Sequence, residues 1–259
     1  MSSFRRLWLN ALPKAALSRV TGLLTDIPLP RAVRPWVYRR FSNRYGANLA
    51  EMAGNLADYA SLSAFFSRPL LPGARPIAAT PLVWPCDGRI VSSGPLTDGC
   101  IEQIKGQDYE LDHLLIDGGL AQRLATGSQA TIYLAPGDYH RVHLPFDGQR
   151  LRNWHVSGSL FPVNPGAVRA VPKLFVRNER MVFECRLADG RAGAVVMVAA
   201  LNVGNIKPSF PTSGPVRRGD ELGAFGFGST VVVVVERGGP GFTVLAPETV
   251  VRMGGAVAS

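Results

Sequence analysis

Two of the chain's four histidines fall together in Ala135-Pro136-Gly137-Asp138-Tyr139-His140-Arg141-Val142-His143-Leu144-Pro145. Spaced three residues apart on a turn, two imidazoles can be aimed at one cleft and share acid–base work. Upstream, Asp87 in Trp84-Pro85-Cys86-Asp87-Gly88 has two readings. Asp-Gly entering a strand is a turn signal, and a carboxylate held there can also orient a histidine. Ser229, in Gly228-Ser229-Thr230, brings a hydroxyl that is a poor nucleophile until a base takes its proton. A Ser-His-Asp set is recognised by roles and not by chain order. His140, His143 and Ser229 are candidate catalytic residues, while for Asp87 the residues alone favour the turn. A metal site is the rival use of the histidine pair, but no cysteine or carboxylate cluster completes one, so no metal is expected. His113 and His155 lie in ordinary amphipathic and strand contexts and are read as structural.

The framework that must position these groups is mostly strands. Short β-rich runs over 89–93, 130–135, 151–156, 181–187, 194–203, 230–236 and 241–245 are punctuated by Gly, Pro and Asp. Short helices are predicted over 111–115 and 120–125, with another near 61–70 stopped by Pro69. The histidine pair directly follows one predicted strand, and Ser229 directly precedes another. The fold class expected is α+β: N-terminal amphipathic helices followed by a largely antiparallel β-rich core.

Charge divides the chain. Of the net +9, nearly all comes from residues 1–45, where nine Lys or Arg face a single acid, Asp26. From Phe4 to Leu24 apolar residues recur at helical spacing, with Pro13 as a kink. A second basic segment, 35–45, carries Trp36, Val37 and Phe41 as its apolar face. A cationic helix with Trp and Leu on one side suits the headgroup boundary of an anionic bilayer. A helix packed on its own domain, with a solvated basic face, is the alternative. The aliphatic content favours lipid over nucleic acid, so no nucleic acid is expected. The three cysteines, 86, 100 and 185, form no evident disulfide framework, which fits a reducing compartment. No run of about 18 apolar residues offers a spanning helix, and the first residues show no continuous signal-peptide core. The organisation expected is a basic membrane-docking arm over 1–60 and a β-rich catalytic domain over 61–259.

Six segments, in one order, resemble the phosphatidylserine decarboxylase family. They are Phe65-Phe66-Ser67-Arg68-Pro69-Leu70, Pro85-Cys86-Asp87-Gly88, Asp138-Tyr139-His140-Arg141-Val142-His143-Leu144-Pro145, Leu160-Phe161-Pro162-Val163-Asn164, Leu174-Phe175-Val176-Arg177-Asn178-Glu179-Arg180, and Glu221-Leu222-Gly223-Ala224-Phe225 leading into Gly228-Ser229-Thr230. The resemblance runs from about 62 to 235. Cys86 stands where family members often carry Ala, and the stretch between Ile206 and Arg217 is short for the family.

What the resemblance implies is specific. The chain would cut itself between Gly228 and Ser229 into a β chain, 1–228, and an α chain, 229–259. His143 would be the base for Ser229, and Asp87 would fix its tautomer. Ser229 would become a pyruvoyl group, the covalent cofactor that condenses with the amine of phosphatidylserine, and His140 would serve decarboxylation. Phosphatidylethanolamine would be the product, made by the paired α and β chains, dimerised further, at the cytoplasmic side of the cell membrane as a peripheral protein. A pyruvoyl decarboxylase of a soluble amino acid would share the serine chemistry but has no need of the arm. A peripheral membrane protein that has lost processing would not keep Asp87, His140, His143, Gly228 and Ser229 together.

Overall fold

The structure is a computed structural model that describes residues 24–104, 107–200, 206–209, 213–226 and 229–257. The amphipathic segment expected over 4–24 lies outside the described residues except for its last residue, Leu24, which is exposed. The chain is α+β, as expected. Its centre is an eight-stranded antiparallel sheet in the order β10-β6-β7-β8-β12-β4-β1-β13. Those strands are β1 (Gly88–Pro95), β4 (Ser128–Leu134), β6 (Gly148–Val156), β7 (Arg180–Leu187), β8 (Ala192–Ala199), β10 (Gly214–Val216), β12 (Ser229–Val235) and β13 (Val250–Val251). A small sheet joins β5 (Arg141–His143), β11 (Glu221–Ala224) and β9 (Lys207–Pro208), and β2 (Cys100–Ile104) with β3 (Gln107–Glu110) forms a hairpin.

The middle of the large sheet is buried on both faces: every residue of β8 and of β12 is out of contact with water. Alternation along β12 sends Val231, Val233 and Val235 to one core and Val232 and Val234 to the other. The second core is closed by the β2–β3 hairpin and by four short helices, Leu111–Leu115, Gly118–Leu124, Pro165–Ala170 and Leu174–Arg177. The first is closed by the small sheet, through Val142, Leu144, Leu222 and Phe225. Full burial of such side chains contributes about 1.5–3 kcal/mol each.

One predicted strand fails. Residues 241–245 are extended but unpaired; the Phe242 and Leu245 N–H groups bond instead to the hydroxyls of Ser128 and Ser93. Alternation alone could not show that two serines on neighbouring strands take these bonds in place of a ladder.

The basic segment 35–45 is the helix Arg34–Tyr45, held to a third, small cluster by Tyr38, whose ring stacks on Phe65 at 4.5 Å. Val37 and Phe41 pack against that cluster, whereas Trp36 is 68% exposed and so leaves the apolar face expected of it. The helix ends against the histidine-bearing turn. A Cβ on Gly137 would lie 2.1 Å from the Tyr45 carbonyl oxygen, so only glycine lets the two backbones meet. Gly137→Ala should therefore undock this helix at a cost of about 1–3 kcal/mol, while the large sheet survives. Faster tryptic cutting at Arg39, Arg40 and Arg44, with unchanged protection of β8 and β12, is the expected readout.

Candidate active site

The turn after β4 is closed by Asp138, whose carboxylate accepts from the Ala135 N–H at 2.7 Å. It presents Tyr139 and His140 just before β5, and β5 carries His143 at its end. The segment 66–68 laces along this turn: Phe66 lies against the His140 ring with centroids 3.9 Å apart, the Ser67 carbonyl accepts from Arg141 Nε (2.9 Å), and Arg68 Nη2 donates to the Gly137 carbonyl (3.1 Å).

His143 is 8% exposed and both ring nitrogens are engaged. Nδ1 lies 2.8 Å from the Gly219 carbonyl, which can only accept, so the proton belongs on Nδ1. Nε2 then holds the lone pair and accepts from the Tyr139 hydroxyl at 2.9 Å. Burial lowers the His143 pKa, against the Gly219 hydrogen bond and the Glu221 and Asp87 charges, which raise it. The result is a neutral imidazole with its basic nitrogen defined. Gly219 holds φ at +88°, in the left-handed region, which aims its carbonyl at the ring.

Asp87 departs from its expected contact. Its carboxylate is taken by Arg75, with Nε donating to Oδ1 at 2.9 Å, and by the Met253 N–H at 2.9 Å. Arg75 also pairs with Glu51 at 2.8 Å. The task of fixing the His143 tautomer, assigned to Asp87 from the sequence, is done by the Gly219 carbonyl. Asp87 remains a neighbour: the Pro85 carbonyl accepts from the His143 N–H at 2.7 Å, and the Asp87 charge is felt at the ring.

His140 is fully buried. Its Nδ1 lies 2.9 Å from the Asp138 carbonyl, so here too the free lone pair is on Nε2, which has no partner among the described residues. Burial, reinforced by the nearby Arg68 charge, pushes its pKa down to about 3.

Ser229 opens β12, fully buried, between Leu134 of β4 and Ala199 of β8. By strand alternation its side chain faces the core covered by the small sheet, the side on which β5 lies. Its hydroxyl has no hydrogen-bond partner among the described residues. A buried hydroxyl left in that state costs about 1–3 kcal/mol, and such a group marks a place where function and stability compete. Gly228 lies outside the described residues. The histidine turn is tied to the approach to it, because the Phe225 N–H donates to the His140 carbonyl at 3.0 Å and Ala224 pairs with Arg141. His140 and His143 thus flank β5, the Asp87 charge acts on His143, and Ser229 opens β12 without a hydrogen bond to either imidazole among the described residues. Tyr139, Arg75, Gly219 and Arg68 belong to the same neighbourhood. The sequence reading gave none of them a role, although an arginine between Phe65-Phe66 and Pro69 was a usable signal.

Comparison with known proteins gives the family. The family model described as phosphatidylserine decarboxylase matches residues 62–259. The phosphatidylserine decarboxylase proenzyme of Anaeromyxobacter sp. (strain K) is 43% identical, over 95% of this chain and 94% of its own. That of Acidovorax ebreus (strain TPSY) is 40% identical, with the same coverage, 95% and 94%. That of Myxococcus xanthus (strain DK1622) is 36% identical over 88% of each chain. The chain belongs to the phosphatidylserine decarboxylase family.

The neutral His140 predicts a pH dependence. Below its ordinary value of 6.5 the unfolded chain binds a proton at position 140 that the folded chain refuses until about 3. Stability therefore falls as pH drops through that window, by up to about 1.4 kcal/mol per pH unit from this residue. Urea midpoints of the Ser229→Ala chain between pH 7 and 4.5 should fall more steeply than those of Ser229→Ala/His140→Gln.

Proposed function

We propose that the chain is made as a proenzyme, cuts itself before Ser229, and then converts phosphatidylserine to phosphatidylethanolamine and carbon dioxide. The observation that carries this reading is a buried serine whose hydroxyl has no partner among the described residues, reached from Phe225, which bonds the His140 carbonyl just before the strand whose His143 keeps a defined lone pair on Nε2. The printed names of the relatives, proenzymes of this decarboxylase, support it.

In the self-cleavage step, the Ser229 hydroxyl attacks the Gly228 carbonyl and His143 Nε2 takes its proton. Tyr139 occupies that nitrogen in the resting arrangement, so its hydroxyl either swings aside or relays the proton. The Gly219 carbonyl holds the imidazolium's other N–H, and the Asp87 carboxylate stabilises the positive ring through space. Return of the proton to the Ser229 nitrogen converts the peptide to an ester. Elimination then frees the Gly228 carboxylate, and uptake of water with loss of ammonia leaves a pyruvoyl group at position 229.

The site fits such a group: Ser229 is walled by Leu134 and Ala199, and its hydroxyl is bound to nothing that conversion would disrupt. When present, the pyruvoyl carbonyl supplies the electron sink that decarboxylation needs. His140 and Phe66 supply an uncharged, water-poor wall, in which a carboxylate is destabilised relative to the products of its loss. The partnerless Nε2 of His140 is placed to hand a proton to the carbon left behind.

The protein works peripherally, at the cytoplasmic face of the membrane. No described helix is long and apolar enough to span a bilayer. Leu24, Ile27, Val33 and Trp36 are exposed beside the exposed Arg39, Arg40 and Arg44. Each basic residue near an anionic surface contributes about 1 kcal/mol.

Three variants separate the roles. Ser229→Ala should remain one uncut chain without activity, and His143→Ala should cut slowly, by roughly a hundredfold or more if general-base help is lost. His140→Ala should still cut, yet release no carbon dioxide from phosphatidylserine vesicles. Intact mass gives the cut and the pyruvoyl residue together. Cleavage that survives in His143→Ala but fails in His140→Ala would reverse the two assignments.

A further inference from the structure

Two arginines are buried in this molecule in very different ways. Arg180 is 1% exposed and spends all three guanidinium nitrogens on the carbonyls of Leu114, Val176, Asn178 and His113. It is a structural cross-link, fully satisfied. Arg68 is 2% exposed and spends only Nη2, on the Gly137 carbonyl; Nε and Nη1 are buried with no partner among the described residues.

The Arg68 Cζ also lies 5.2 Å from the Phe65 ring centroid, a cation–π contact, but two buried guanidinium nitrogens without hydrogen bonds remain costly. The acids near Arg68 do not offset it by contact. Asp87 and Glu51 are both bound to Arg75, and Asp138 is bound to the Ala135 N–H. The guanidinium lines a pocket of about 140 Å³ shared with Asp87, Asp138 and Tyr139. It lies on the turn that bears His140 and close enough to depress that ring's basicity. A cation with two unspent donors at the edge of a reaction site is the arrangement expected of an anion receptor.

We infer that Arg68 is the receptor for the phosphodiester of the substrate headgroup. This rests on the proposed decarboxylase reading. Phosphatidylserine brings two anions to the site, and the chemistry separates them. The carboxylate must lose its charge as carbon dioxide leaves, so a cation fixed on it would stabilise the ground state and slow the step. Its place is the uncharged wall of Phe66 and His140. The phosphodiester keeps its charge from substrate through to product, and a fixed guanidinium holds it equally at every stage. Arg68 then contributes uniform binding, which appears in KM and not in kcat.

The test uses the full-length, self-processed enzyme on phosphatidylserine vesicles. Arg68→Gln and Arg68→Lys should cut normally. In Arg68→Gln, KM should rise by about tenfold or more, the usual value of a charge-assisted hydrogen bond, with kcat near wild type and with Lys recovering part of the loss. Inhibition by soluble glycerophosphoethanolamine, which has the phosphodiester and no carboxylate, should weaken by the same factor. In the wild type, the methyl phosphotriester of that compound, whose phosphate carries no charge, should inhibit at least about tenfold less well, and inorganic phosphate should not replace the headgroup. Unchanged KM in a processed Arg68→Gln enzyme overturns the inference, as does a fall in kcat alone, which would put the carboxylate on Arg68. Equal inhibition of the wild type by the phosphodiester and the phosphotriester overturns it even if both variants misfold. Phosphate competing as well as the headgroup reduces the site to a general anion site and also overturns it. A wild-type chain that stays uncut, or is inactive on phosphatidylserine, sinks the decarboxylase reading itself.

Discussion

Because β12 carries five consecutive valines between strands that are themselves apolar, neither face of the central sheet can meet water. Two separate covers are needed. A hairpin and four short helices cover one face; the small sheet of β5, β11 and β9 covers the other. That second cover carries His143. Val142 and Leu222 point into the core and pin β5 and β11 against it. His143, one residue on from Val142, is thereby carried to the core's margin opposite Glu221, while His140, at the other end of β5, bonds Phe225 on the way to Ser229. The site is a consequence of how the core is closed.

The same burial sets the electrostatics. Burial favours the neutral form of the His140 and His143 imidazoles, and in each the proton is tied to Nδ1 by a backbone carbonyl that can only accept. Fixing a tautomer by main chain needs no charged partner. That frees the Asp87 carboxylate to neutralise Arg75, whose charge would otherwise lie buried beside the site. Arg68 keeps two guanidinium nitrogens without a hydrogen-bond partner among the described residues.

Phe65 and Phe66 join the surface helix to the site in a single step of the chain. Phe65 stacks on Tyr38 of the helix Arg34–Tyr45, and the next ring, Phe66, lies on His140. Gly137 brings the helix end and the histidine turn into backbone contact. A helix exposing Trp36 and three arginines is therefore anchored directly to the acid–base turn, a short path between a surface suited to lipid and the place where its headgroup would react.

The amino-acid order by itself determined the α+β class and most of the long strands. Strands announce themselves by local alternation and by Gly and Pro punctuation, and short motifs hold chemistry-bearing residues at fixed offsets. It also determined that the basic charge sits in the first 45 residues. Tertiary structure alone decided who touches whom. Gly219 and not Asp87 orients His143, because a carbonyl 76 residues away reaches Nδ1 first. Residues 241–245 forgo a ladder because Ser93 and Ser128 satisfy their N–H groups. Arg68 is a site cation and Arg180 a structural one, although both are arginines in apolar surroundings. The difference is which carbonyls the folded chain places around each, and no local pattern records that.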